Sequence, residues 1–154
     1  MELRLDLDDE LVQHVYSAES LRVDAGCSVR DVLRLMKERD RGCALVCRDG
    51  KLDGIFTERD ALRLMATAQD LDQSIEAVMA ASPVSVRLGD TVAQAIRKMS
   101  EGGYRRLPVV NDDGEPLGVL KASGILHFFV EHLRNVVYTL PPQPHQVMQE
   151  REGA

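Results

Sequence analysis

Two stretches of this chain, 63 to 64 residues apart, carry the same pattern, and that duplication constrains the fold more than any other feature. Val29, Val32, Leu33 and Met36 return as Val92, Ala95, Ile96 and Met99, an offset of 63. Both sets are spaced i, i+3, i+4, i+7, one apolar face of a helix. The run LVCRDGKLDGIF at 45–56 matches VVNDDGEPLGVL at 109–120, with Gly50 against Gly114 and Gly54 against Gly118, an offset of 64. One residue is therefore inserted in the second copy, and the alignment places it after the helix, near Gly102-Gly103. A unit this long exceeds the period of about 20–50 residues typical of solenoids. The reading is a pair of small α+β units packed as one pseudo-twofold module. Two such copies create a cleft between them, and clefts of that kind bind ligands.

Each copy reads in the order β-α-β-β-α. An extended segment comes first, SLRV at 20–23 and PVSV at 83–86. A helix follows, with Ser28 or Thr91 at the N-cap; Gln94, three residues after Thr91, completes a capping box. The helices are expected to run to Gly42 and to Gly102-Gly103. Strands CALVC and LPVV then lead through an Asp-Gly turn into LDGIF and PLGVL, a hairpin in each copy. A closing helix matches Leu62, Met65 and Ala66 with Leu126, Phe129 and Val130. The division is a helical extension at 1–19, a first repeat at 20–66, a linker at 67–82 that is partly helical through SIEAVM, a second repeat at 83–130 and a polar tail at 131–154. The final residues, 139–154, hold three of the six prolines and no periodicity, and read as an extended or disordered tail.

Composition removes several classes. A hydrophobic fraction of 44% supports a packed core, and no apolar run approaches a membrane span. The start MELRLDLDDE lacks the basic and apolar regions of a signal peptide. The net charge of −6 argues against broad binding to nucleic acid or anionic membrane, though not against a local basic pocket for one phosphate. Three cysteines, Cys27, Cys43 and Cys47, read as small buried hydrophobes in a reducing cytoplasm. The four histidines are scattered without ligand spacing. No nucleophile elbow, phosphate-binding loop or dinucleotide fingerprint is present, and the expectation is a protein that is not an enzyme and holds no metal.

The segments GCALVCRDGKLDGIFTERDALRLM and GGYRRLPVVNDDGEPLGVL resemble the two halves of a cystathionine-β-synthase-type (CBS) domain pair, also called a Bateman module. The resemblance covers residues 20–130, in the right order and with the right gap. It implies a regulatory module that binds an adenosine-containing ligand between the repeats: AMP, ADP or ATP, with S-adenosylmethionine as a further choice. It also implies pairing into a disc-shaped homodimer and regulation of a partner protein that the sequence does not identify. The family's ligand motif is matched by Gly54-Ile55-Phe56-Thr57-Glu58-Arg59-Asp60, where Asp60 would accept the ribose hydroxyls and Thr57 would reach ribose or phosphate. The same Thr-x-x-Asp is also a helix-capping pattern, and one hydroxyl can serve both ends. Arg105 and Arg106 match the family's basic pair, whose guanidinium forks suit a phosphate. Pro83 and Val84 match the position that flanks the adenine, with Ile55 beside it.

The two sites that such a pair implies are not equivalent here. On the alignment above, Thr57 and Asp60 correspond to Lys121 and Gly124, and Arg105 and Arg106 correspond to Arg41 and Gly42. One pocket keeps a complete set while its pseudo-symmetric mate has lost the ribose carboxylate and half of the basic pair. Lys121 remains as a second anion site. The alternative reading is a structural or protein-interaction module that dimerises without using a nucleotide. The dimer is read from surplus apolar surface, with Leu35 and Ala93 off the main helical faces and Ile125 to Val130 apolar nearly all round. Tyr138-Thr139-Leu140-Pro141 is expected to extend that contact.

Overall fold

A computed structural model describes residues 8–139, with side chains described up to residue 132. The first repeat contains β1 (Leu21–Asp24), α1 (Val29–Glu38), β2 (Cys43–Arg48), β3 (Lys51–Thr57) and α2 (Glu58–Ala66). After β4 (Ala80–Ala81), the second contains α3 (Val92–Gly102), β5 (Arg106–Val110), β6 (Pro116–Lys121) and α4 (Ala122–Thr139). The first sheet runs β1-β2-β3-β4, parallel between β1 and β2 and antiparallel thereafter. The second has β5 and β6 antiparallel. The α+β architecture with tandem β-α-β-β-α repeats is thus present, the first strand of the second copy being reduced to a single bridge.

Local chemistry explains the elements. The Ser28 hydroxyl accepts the Asp31 N–H at 3.1 Å and starts α1. Thr91 and Gln94 exchange two bonds at 3.1 and 3.0 Å to start α3. Val29, Val32 and Met36 on α1, like Val92, Ala95 and Met99 on α3, are the buried positions of the repeated stripe. In the first hairpin Asp49 and Gly50 both have positive φ, as a tight two-residue turn matched to strand twist requires. The helix ends differ from expectation. Gly103 is left-handed at φ 69° after α3, but after α1 the equivalent residue is Asp40 at φ 50°, and Gly42 lies beyond the turn. Asp tolerates that conformation better than most residues.

The pairing registers relocate the inserted residue. Val46 opposes Gly54 and Val109 opposes Gly118, so β2 maps onto β5 at an offset of 63 while β3 maps onto β6 at 64. The Arg41 N–H bonds the Met36 carbonyl as the Tyr104 N–H bonds the Met99 carbonyl, again at 63. Four residues, 48–51, separate Cys47 from its partner Leu52, whereas five, 111–115, separate Val110 from Pro116. The extra residue is in the second hairpin turn, not near Gly102-Gly103. A turn absorbs an insertion without shifting any buried side chain to the wrong face.

The termini of the repeats are exchanged. The helix expected over residues 1–19 is a single 3-10 turn, Val12–His14, within the described part; residues 1–7 lie outside it. The Val12 and Gln13 N–H groups bond the carbonyls of Asp90 and Leu88, and Ser17 bridges Val119, so this backbone is satisfied by the second repeat rather than by its own helix. Ile75–Ala77 in the linker forms the matching turn and docks on the first repeat. Val12 is buried in the second core and Ile75 in the first. Where the exchanged segments cross, a Cβ on Gly54 would collide with Met79 and one on Gly118 with the Ser17 carbonyl. The strand expected at 83–86 shrinks to one parallel bridge, Val86 to Val109. Pro83 has no N–H to give a ladder, and the Lys98 ammonium holds the Ser85 carbonyl.

A third, smaller cluster of Cys43, Leu45, Ile55 and Val119 joins the two repeats, and the Leu52 N–H bonds the Gly114 carbonyl across the hairpins. Phe56 is fully buried in the first core, worth about 1.5–3 kcal/mol of apolar transfer. Helix α4 continues to Thr139, so residues 131–139 are helical rather than tail. The expected tail over 140–154 falls outside the described residues, as do the side chains of the Tyr138–Pro141 contact.

Candidate functional site

The joint between the repeats opens on one side into a cleft of about 540 Å³. One wall is the end of β3 and the start of α2, with Ile55, Thr57 and Asp60. The opposite wall is the turn from α3 into β5, with Tyr104, Arg105 and Arg106. The segment from Ala80 through Pro83 and Val84 closes the third side. All seven residues singled out for the principal site therefore face one space, although they come from both repeats. Lys121 does not line it.

The strand-to-helix junction sets the first wall. Thr57 is the N-cap of α2 in a full capping box. Asp60 Oδ2 accepts the Thr57 N–H at 2.9 Å and the Thr57 hydroxyl at 3.1 Å, while Thr57 Oγ1 accepts the Asp60 N–H at 3.4 Å. The capping pattern is real. It uses one carboxylate oxygen; among the described residues Oδ1 has no partner. Asp60 is half-buried on the first turn of α2. A carboxylate oriented by its own cap, with one oxygen spare, is suited to accept hydroxyl donors.

The second wall carries the positive charge. Arg105 is exposed and Arg106 half-buried. The Arg106 guanidinium lies over Gly42, where any Cβ would meet it, and Arg106 Nε is buried without a hydrogen-bond partner. Tyr104 packs its ring against Gly102 at the cleft edge. Close by, burial pushes the Cys43 thiol up from its usual 9.0, opposed by the charges of Arg106 and Lys121. Lys121 stands opposite Arg106 in the β5–β6 ladder and is not among the residues that line the cleft.

The relocated insertion changes the comparison of the two sites. Arg105 and Arg106 correspond to Gly42 and Cys43, not to Arg41 and Gly42; Arg41 corresponds to Tyr104. Both basic residues are thus lost from the mate position, and Thr57 and Asp60 remain replaced by Lys121 and Gly124. Arg41 there holds Glu19 at 3.1 Å. The residues that the sequence reading left out of the site are Arg59 and Arg63, which also line the cleft. Their spacing is readable, Arg63 at i+3 from Asp60 and i+4 from Arg59, but arginines on a helix surface are ordinary and only the cleft singles these two out.

The family model for the CBS domain matches the chain twice, at residues 12–67 and 75–131. A CBS domain-containing protein of Arabidopsis thaliana, CBSCBSPB1, is 32% identical over 110 residues, covering 70% of this chain and 20% of that protein. The arabinose 5-phosphate isomerase KdsD of Pseudomonas aeruginosa is 34% identical over 126 residues, covering 80% of this chain and 38% of the isomerase. This chain thus spans about a fifth to two fifths of the length of these relatives. The crystal structure of CBSX2 in complex with AMP superposes with a TM-score of 0.71 at 27% identity, covering 81% of this chain and 99% of that one. The duplicated sequence, the exchanged pseudo-twofold fold and these matches agree, and the chain belongs to the CBS-domain family as a tandem CBS pair.

Proposed function

We propose that this CBS pair is a regulatory module that binds one adenosine nucleotide per chain in the inter-repeat cleft and passes its occupancy to a partner protein. The observation that carries the reading is the convergence of Thr57 and Asp60 from one repeat with Arg105 and Arg106 from the other on a single cleft. Asp60 takes the ribose hydroxyls, Arg105 and Arg106 take phosphate, and Ile55, Pro83 and Val84 flank the base. The CBSX2 structure, similar over most of this chain, holds AMP. Lys121 is left with no more than a weak anion contact, because neither a ribose carboxylate nor an arginine pair accompanies it.

The same reading includes a homodimer through α2 and α4. Leu62 and Leu126 occupy equivalent positions of these helices and are 66% and 67% exposed, with Met65 and Val130 beside them at 60% and 59%. A doubled apolar patch of that kind suits a self-complementary twofold interface. That patch also favours the second reading, a dimerisation module without nucleotide. Among the described residues no helix is long and apolar enough to cross a membrane, and the free state of Cys27, Cys43 and Cys47 fits a cytoplasmic location. A thermal-shift panel of AMP, ADP, ATP, S-adenosylmethionine and NAD separates the readings. A true ligand at about 100 times its Kd stabilises the fold by about 2.7 kcal/mol. No shift with any member at millimolar concentration leaves the dimerisation module standing.

A further inference from the structure

We infer that the cleft is built for a nucleoside polyphosphate, with Arg59 and Arg63 on α2 receiving the phosphates beyond the first; this rests on the nucleotide reading above. The observation is a local excess of unpaired guanidinium. Elsewhere five of the described arginines are neutralised: Arg30 with Asp72 at 2.9 Å, Arg34 with Asp31 at 3.3 Å, Arg41 with Glu19 at 3.1 Å, Arg87 with Asp112 at 2.7 Å, and Arg48 with Asp53 and Glu76. The cleft is lined by four arginines, Arg59, Arg63, Arg105 and Arg106, and none forms an ion pair among the described residues. Arg22, Arg39 and Arg97 also stand without such a pair but do not line the cleft. The carboxylates in the lining are Glu58 and Asp60, and Asp60 is engaged with Thr57. A positive cleft therefore sits on a chain whose net charge is −6.

The geometry of α2 gives this excess a direction. The Thr57 cap places Asp60 on the first turn. Arg63 is its i+3 neighbour and Arg59 is the i−4 neighbour of Arg63, so Arg63 neighbours both on the helix surface, with Cβ atoms about 5–6 Å apart in each pair. Like charges at i, i+4 oppose helix formation unless an anion lies between them. Arg105 and Arg106 on the facing wall meet the charge of a monophosphate. Arg59 and Arg63 are then left over, one helical turn along the wall that holds the ribose. A second and third phosphate supply the anion they lack, through charge-assisted bonds that adenosine and S-adenosylmethionine cannot form.

The test is isothermal calorimetry on the full chain in low-salt, magnesium-free buffer with adenosine, AMP, ADP and ATP. The expected result is ADP and ATP binding at least about tenfold tighter than AMP, the factor that one good charge-assisted contact provides. The double variant R59Q/R63Q should bring ADP and ATP close to AMP, weakening them by at least about tenfold more than it weakens AMP, which loses only the long-range attraction of the two charges. R97Q, which alters an unpaired arginine outside the cleft, should leave the whole series as in the parent. AMP binding as tightly as ATP to the parent, or R59Q/R63Q weakening AMP as much as ATP, would overturn this inference and leave the nucleotide reading intact. Failure of all four to bind would overturn the nucleotide reading, and this inference with it.

Discussion

Substitution of Asp60 separates a helix cap from a ligand contact, because its two oxygens have different work. Oδ2 accepts two bonds from Thr57, and Oδ1 is left for the cleft. Asp60→Ala removes both. The lost half of the capping box costs about 0.5–1 kcal/mol of stability, or roughly 1–4 °C in Tm for a domain of this size. The lost ribose contact weakens every adenosine ligand by about 1.5–3 kcal/mol, roughly ten- to a hundredfold in Kd. Asp60→Asn divides the two effects. Its amide oxygen still accepts from the Thr57 N–H, while its NH2 donates where the ribose hydroxyls also seek to donate. The expected outcome is near-parental melting by scanning calorimetry with binding weakened across the ligand series by isothermal calorimetry. If Asp60→Ala melts earlier but binds like the parent, the carboxylate is a cap alone and the ribose assignment is wrong.

Three further outcomes follow from the geometry. Arg106→Ala should weaken AMP by roughly tenfold or more, spare adenosine, and flatten the salt dependence of phosphate-ligand binding, read by calorimetry at two ionic strengths. Gly118→Ala forces a Cβ onto the Ser17 carbonyl, a backbone atom that cannot swing aside, and should cost about 1–3 kcal/mol in denaturant unfolding; an unchanged midpoint would refute the crossing of the exchanged segments. Leu62→Glu with Leu126→Glu places charge in the doubled apolar patch and should convert a twofold species to single chains in sedimentation velocity; a parent that already sediments as one chain removes the dimer from the account.

What the sequence discloses and what it hides divide by the range of the interactions. The helix starts at Ser28, Thr57 and Thr91 are readable because a cap is settled within four residues. The buried stripes are readable because period and burial coincide at Val29, Val32 and Met36. The repeat itself places both walls of the cleft once a family resemblance pairs them. The exchange of Val12–His14 and Ile75–Ala77 between repeats is hidden, because their backbone partners lie tens of residues away at Asp90, Leu88 and Cys27. DDELVQHVYS has helical periodicity, and tertiary hydrogen bonds override it. The position of the inserted residue is hidden for the same reason. Val109 and Val110 are both apolar, so LVC and VVN align equally well in two registers, and the strand pairing decides between them. The correction removes Arg41 as a counterpart of Arg105 and makes the asymmetry of the two sites deeper. Arg59 and Arg63 escaped notice because isolated surface arginines on a helix are ordinary; their lack of carboxylate partners shows only in three dimensions.

The central claim is one functional cleft per chain, with its pseudo-symmetric mate disabled. Its most direct test is the stoichiometry of nucleotide binding by isothermal calorimetry on the parent chain, with ATP and AMP titrated separately. The expected result is a single class of site at one nucleotide per chain, abolished by Asp60→Ala combined with Arg106→Ala. Two equivalent sites per chain, or one site that survives that double substitution, would contradict it.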